Sequence, residues 1–425
     1  MNDKPWINSY PPSVRWEAEI VPGPVQGILD DTVAKWPDRP AIDFMGKRIT
    51  YRDLAGLVHR AAKGLQQLGV KPGVHVGLYL PNSPHYIIAF FGVLKAGGTV
   101  VNYSPLDAAK VLEHKIEDSL TDFLVTLDMA SLYPQMAAML GKTRLKKLVV
   151  GSLAELTADP DAVMREMTAG RQLSDVAWDD RHISFTDLLH NDGNWQPYPV
   201  VDPAKTIAVL QYTGGTTGTP KGAMLTHANL TSTCQQYRAT TAGSPPVLVE
   251  GQERFLAVLP PFHIYALTVN VLFAILQGAE IVQHGRFDPK VALQDISGKG
   301  ISVLCGVPTM FTALINHPET PKHSLRTLKY CGSGGAPLPL EVARQFTAIT
   351  GCNLTEGWGM TETSPAGTFT PAQKDGMRKE GSCGMPMPGI IIKFLSIDNP
   401  EQYVPLGARG EICIKGPNVM KGYWS

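Results

Sequence analysis

Short apolar segments alternate along this chain with amphipathic stretches of helical period, and no other feature limits the fold as strongly. Leu54 to Leu68 reads as a helix, Val74 to Leu80 as a strand, His85 to Lys95 as a helix and Thr99 to Asn102 as a strand. Such alternation predicts parallel sheet with covering helices. The pattern recurs, since an apolar helix, a glycine, a short strand and a proline-ended loop occur at FFGVLKAGGTVVNYSP and again at LFAILQGAEIVQHGRFDP. Two similar doubly wound units follow from that repetition.

The stretch from Thr157 to Val201 is richer in Asp, Pro and polar residues and reads as a surface excursion between the units. From about Gly376 the texture changes to short strands punctuated by glycine and proline, as in IIIKFLSI and GEICIKG. The expected fold is therefore α/β: two doubly wound, mostly parallel sheet subdomains with covering helices, plus a small β-barrel subdomain. The expected boundaries are 1–200 for the first unit with its excursion, 201–350 for the second unit with a phosphate loop, and 351–425 for the remainder.

With 425 residues, 44% hydrophobic and 18% charged, the chain can bury a large core. Lys+Arg 38 balances Asp+Glu 38, so no net field draws it to nucleic acid or to an acidic membrane surface. The six cysteines are scattered singly without zinc-ligand spacing and read as reduced and structural. Met1 to Tyr10 has no apolar core of a secretory signal, so a cytoplasmic location is expected. The uncharged run within Phe255 to Ala279 includes Pro260-Pro261, His263, Asn270 and Gln277, which argue for a buried helix after a turn over a membrane span. The basic run Lys142 to Lys147 reads as a solvated face, with peripheral membrane contact and a homodimer left open.

The most informative segment is YTGGTTGTPKG, Tyr212 to Gly222. Glycines let backbone amides converge on an anion, threonine hydroxyls donate further bonds, and lysine adds a full positive charge. A Walker loop needs Gly-Lys followed by Ser or Thr at a helix start, whereas here Pro220 precedes Lys221 and the flanks IAVLQY and GAMLTH read as strands. The loop is expected to join two strands, leaving Lys221 free to swing over a nucleotide.

This segment resembles the signature loop of the adenylate-forming superfamily of acyl-CoA synthetases, luciferases and peptide-synthetase adenylation domains. Four further segments resemble the superfamily's motifs in the same order: LPPFHIYALT, GSGGAPL, EGWGMTET and GEICIKGPNVMKGYW. Gly214 stands where the superfamily more often has serine, as is common in long-chain fatty acyl-CoA synthetases, and Trp358 stands where tyrosine is usual. LQYTGGTTG, HIYALTVN and PWINSYPP resemble the bacterial long-chain enzymes more than aryl or acetyl ones.

The resemblance implies roles residue by residue. Lys221, His263, Thr361 and Glu362 are the implied catalytic residues, with His263 near the acyl carboxylate and Thr361 on the α-phosphate. Thr213, Gly214, Gly215, Thr216, Thr217 and Gly218 would cradle phosphates, Gly334, Gly335, Ala336 and Pro337 would line the adenine face, and Trp358 would stack on the base. Mg²⁺ would be held by Glu362 with help from Thr213, since a cation bridging phosphates takes one or two protein oxygens. The implied reactants are ATP, a fatty acid and coenzyme A. The stretch after His263 has no charge until Glu280, which favours an apolar tail over an amino acid. Adenylation of an aryl or medium-chain acid, a noncatalytic acyl or nucleotide-binding module, and a phosphotransferase releasing ADP are the competing readings. Superfamily members continue beyond GYW with a ribose-binding Asp, a hinge and a small lid domain with a second lysine. The expectation is that this C-terminal lid domain is absent and that this chain alone forms acyl-adenylate slowly.

Overall fold

The computed structural model describes residues 4–213, 218–373 and 376–425. The strands of its two main sheets are β1 (Pro40–Phe44), β2 (Lys47–Thr50), β3 (His75–Leu78), β4 (Thr99–Asn102), β5 (Thr121–Leu127), β6 (Lys147–Gly151) and β7 (His182–Ser184). They continue with β8 (Ile207–Tyr212), β9 (Gly222–Thr226), β10 (Arg254–Ala257), β11 (Glu280–Gln283), β12 (Val303–Gly306), β13 (Tyr330–Ser333) and β14 (Leu354–Glu356). One sheet has the order β7-β6-β5-β3-β4-β8-β9, the other β14-β13-β12-β10-β11-β1-β2. In each, the first six strands pair in parallel and the seventh is an antiparallel edge.

The two orders match position for position, so the repeated helix-glycine-strand pattern does mark two similarly wound units. Strand β4 and strand β11 occupy equivalent places, each following its apolar helix. The central strands β3, β4, β10, β11 and β12 are buried almost throughout, as strands with helices on both faces must be. The helix Tyr51–Gln67 shows how covering elements form: Thr50 caps it by accepting from the Asp53 N–H, and Leu54, Val58, Ala61, Ala62 and Leu65 form its buried stripe.

Sheet membership crosses residue 200 in both directions. Hairpin β1–β2 opens the chain but closes the sheet built from β10–β14, and hairpin β8–β9 closes the sheet built from β3–β7. The phosphate loop is thus carried by the first sheet, where the sequence reading put it in the second unit. Hairpin pairing with a distant parallel strand is a non-local choice that local periodicity does not encode. One apolar core runs through strands of both sheets, including Val76, Val100, Phe255 and Ile281.

The small β unit near the C-terminus consists of two separate antiparallel ribbons, not the closed barrel expected. Strand β15 (Thr368–Phe369) pairs with β16 (Met385–Pro386), and β17 (Ile391–Leu395) with β18 (Glu411–Lys415). The first pair is two residues long, too short to close a barrel. The segment Phe255 to Ala279 ends β10, turns, and enters a buried helical run from Ile264 to Leu276 with π geometry over Leu267–Phe273. Among the described residues no helix is long and apolar enough to cross a membrane. In the basic run, Arg144 and Lys146 both pair with Asp122 and the Lys147 ammonium donates to the Asp180 carbonyl, so these charges are engaged by the protein's own surface.

Candidate active site

The C-terminal ends of both sheets meet at one cavity of about 530 Å³. Open α/β sheets bind ligands at this edge because helices and loops diverge there. Residues at or just beyond the ends of β4, β8, β10, β12, β13 and β14 all reach its wall, among them Ser104, Tyr212, Leu259, Val307, Gly334 and Gly357. Of the residues singled out in the sequence, His263, Gly334, Gly335, Trp358 and Thr361 line this cavity.

His263 sits in the turn after β10, its N–H bonded to the Pro260 carbonyl at 3.0 Å and its own carbonyl accepting from Leu267 at 3.0 Å. Its ring lies 4.8 Å from that of Phe262 and opens into the cavity. Burial lowers its pKa, and the nearby Lys115 works in the same direction while Asp107 opposes it. The ring is consequently a neutral donor–acceptor near pH 7, the form that can approach an anion's neighbour without carrying charge of its own.

The turn after β13 places Gly334 and Gly335 on the wall. A side chain at 334 would lie 3.1 Å from the Tyr265 ring, so glycine lets that ring and the backbone share the wall. Ala336 and Pro337 are exposed in the same turn and do not reach the cavity. Trp358 is half-buried, its N–H bonded to Thr368 Oγ1 at 2.9 Å and its carbonyl accepting from Gly367 and Thr368. The turn beyond it packs so closely that a Cβ on Gly359 would fall 1.4 Å from the Pro365 carbonyl oxygen.

Lys221, Thr213 and Glu362 form a second group adjoining the cavity through their neighbours Tyr212 and Thr361. The flanks of the phosphate loop are strands, as expected, and its neck is closed by the Thr213 N–H donating to the Lys221 carbonyl at 3.0 Å. Gly214, Gly215, Thr216 and Thr217 lie outside the described residues, and Gly218 is exposed. Lys221 is exposed, with its ammonium 5.3 Å from the centre of the Tyr423 ring. The Tyr423 hydroxyl donates to Glu362 Oε1 at 2.6 Å. That bond, and partial desolvation, raise the tyrosine's pKa above its ordinary value. One aromatic ring therefore brings together the lysine and the carboxylate.

Tyr423 belongs to a strap that the sequence presented only as the run-out of a strand pair. The Met420 N–H donates to the Glu362 carbonyl at 2.8 Å, Met224 and Gly422 pair at 2.9 Å, and the Trp424 N–H donates to Gly222 at 2.7 Å. Asn418 is fully buried and donates to the Thr363 carbonyl at 2.7 Å, while Asn229 donates to the carbonyls of Pro417 and Val419. Residues 417–424 thus extend the edge of β9 and hold the Thr361–Thr363 turn against it. The sequence reading also missed Asp107 and Lys115, an ion pair at 2.6 Å in the cavity wall, because one looks like an ordinary loop charge and the other like a surface charge of the amphipathic helix Ala109–Asp118.

A doubly wound α/β protein with a cavity of mixed polar and apolar lining at its strand ends has the architecture that binds ligands at that edge. The chain belongs to the AMP-binding enzyme family, whose model matches residues 29–424. It is 35% identical to a long-chain-fatty-acid–CoA ligase of Bacillus subtilis over 100% of this chain and 74% of the relative. A long-chain-fatty-acid–CoA ligase of Escherichia coli O6:H1 is also 35% identical, over 99% of this chain and 74% of its own length. In shape the chain is similar to a crystal structure of a long-chain-fatty-acid-CoA ligase from Archaeoglobus fulgidus, with a TM-score of 0.80, 24% identity, and coverage of 96% of this chain and 78% of the other.

Proposed function

We propose that this protein is an AMP-forming acid–thiol ligase that activates a fatty acid with ATP and passes the acyl group to coenzyme A. The observation that carries the reading is the convergence of Lys221 and Glu362 on Tyr423, beside a cavity that holds His263 and, through Val269, Ile264 and Tyr237, an apolar wall. The names of the relatives support the acid and the thiol.

In the first step a carboxylate oxygen bonds to the α-phosphorus of ATP and the bond to the pyrophosphate oxygen breaks, giving acyl-adenylate and pyrophosphate. In the second, a thiolate sulfur attacks the acyl carbonyl and AMP leaves with the electron pair. Both reactants of the first step are anionic, so the protein's task is to cancel repulsion and align the two. Lys221 supplies positive charge at the phosphates, Thr361 donates to the α-phosphate, and neutral His263 meets the carboxylate without competing for its charge. Glu362 and the Thr213 hydroxyl offer hard oxygen donors of the kind Mg²⁺ takes when phosphate and water fill most of its shell. When bound, Mg²⁺ neutralises phosphate charge. Gly334, Gly335 and Trp358 form the flat wall suited to adenine.

Incubating the chain with ATP, Mg²⁺, dodecanoic acid and coenzyme A is expected to release AMP and pyrophosphate in equal amounts, only when the acid is present. Release of ADP would refute the reading, and activity with amino acids but not fatty acids would refute the substrate.

A further inference from the structure

A chain of buried hydrogen bonds ties the strand that leads into the phosphate loop to the turn that carries His263. Gln211 lies on β8, two residues before Thr213, and is 5% exposed. Its Nε2 donates to the Phe262 carbonyl at 2.7 Å, and its Oε1 accepts from Asn102 Nδ2 at 2.9 Å. The hydroxyl of fully buried Tyr86 is shared between Asn102 Oδ1 at 2.8 Å and the Pro261 carbonyl at 2.9 Å. The two carbonyls immediately before His263 are therefore both held by side chains anchored in the other sheet's unit.

This placement has a physical consequence. The His263 turn leaves β10 of one sheet, whereas Tyr86, Asn102 and Gln211 stand on a helix and two strands of the other. Asn82 of the same unit also bonds the Ala257 and His284 carbonyls at the ends of β10 and β11, whereas the Pro261 and Phe262 carbonyls beside the ring are bonded by Tyr86 and Gln211. A fully satisfied buried network specifies one arrangement, and losing one member leaves its partners unpaired. Gln211 and Asn102 also face the cavity itself, so the link runs along the wall where the acyl and phosphate groups would meet.

We propose that Gln211 is a positioning residue that acts through His263, setting the ring's place relative to the end of β8 and Thr213. The proposal rests on the reading of His263 as the group that meets the acyl carboxylate. It is tested on the full 425-residue chain by calorimetric binding of dodecanoyl-sulfamoyl adenosine, a stable mimic of acyl-adenylate, with AMP as the reference ligand. Gln211→Met, which keeps length and loses both hydrogen bonds, is expected to weaken the mimic at least about tenfold and to leave AMP within about twofold. His263→Ala is expected to do the same, and the double variant to be no weaker than the worse single one, because the two act as a unit.

Losses that add in the double variant overturn the proposal, as does an equal loss of AMP affinity in Gln211→Met, which would mark a general collapse of the site. If His263→Ala leaves the mimic's affinity unchanged, the reading of His263 itself fails and the proposal falls with it. Should Gln211→Met not fold, Tyr86→Phe removes only the shared hydroxyl. Its loss of mimic affinity must then appear in the His263 chain and vanish in the His263→Ala chain.

Discussion

His227 opens the helix that follows the phosphate hairpin, and replacing it should make the protein resist acid. It is 3% exposed, and its Nδ1 accepts the Val25 N–H at 3.0 Å, the first amide of the helix Val25–Lys35. Burial pushes its pKa down to about 4 from 6.5. A proton on Nδ1 would destroy that bond and place a cation in the core, so the folded state refuses a proton that the unfolded chain accepts. The sign follows: above pH 6.5 the group costs nothing, and as pH falls from 6.5 to 4 stability is lost progressively. A depression of this size amounts to about 3 kcal/mol at pH 4. His227→Asn keeps an acceptor near the Nδ1 position and cannot titrate. Urea midpoints measured for both proteins between pH 7 and pH 4 should therefore diverge, with the variant gaining about 3 kcal/mol relative to the parent over that range. Because other titrating groups cancel in the difference, a gap that stays constant within about 1 kcal/mol from pH 7 to pH 4 would refute the assignment.

Two further substitutions probe the cavity. Gly359→Ala must push apart the Trp358 turn and the Pro365 carbonyl, and is expected to cost at least about 2 kcal/mol, read as a lowered urea midpoint together with loss of AMP binding. Tyr237 stands in the cavity wall with its ring 5.7 Å from that of Phe273, so Tyr237→Ala opens space at the apolar side. The kcat/KM ratio of hexadecanoic to octanoic acid should rise at least about tenfold, and an unchanged ratio would remove Tyr237 from the acyl site.

The two doubly wound units were legible because each strand and covering helix writes its burial into its own few residues. The strands that flank the glycine-rich segment were legible for the same reason, since IAVLQY and GAMLT are mostly apolar and pair as β8 and β9. The helix-glycine-strand repeat around Gly97 and Gly278 announced the duplication, and the structure returns it as two matching strand orders. The motif letters placed His263, Gly334, Trp358 and Thr361 in one cavity, since each follows a strand and parallel strands end on the same side.

Other features belong to tertiary structure alone. Which sheet each hairpin joins is decided by pairing with a distant strand, as Ile42 pairs with Ile281 and Val209 with Val100, and no local period reports such a partner. Tyr423 and Gln211 looked like a strand-pair remnant and a strand residue, and became a bridge and a tether only when folding set Glu362 and Phe262 against them. Sequence by itself determined which segments become strands, helices and turns, because those choices are set by local backbone and burial terms. Tertiary structure decided which side chains meet across the cleft, because a hydrogen bond between distant residues exists only once the whole core has closed.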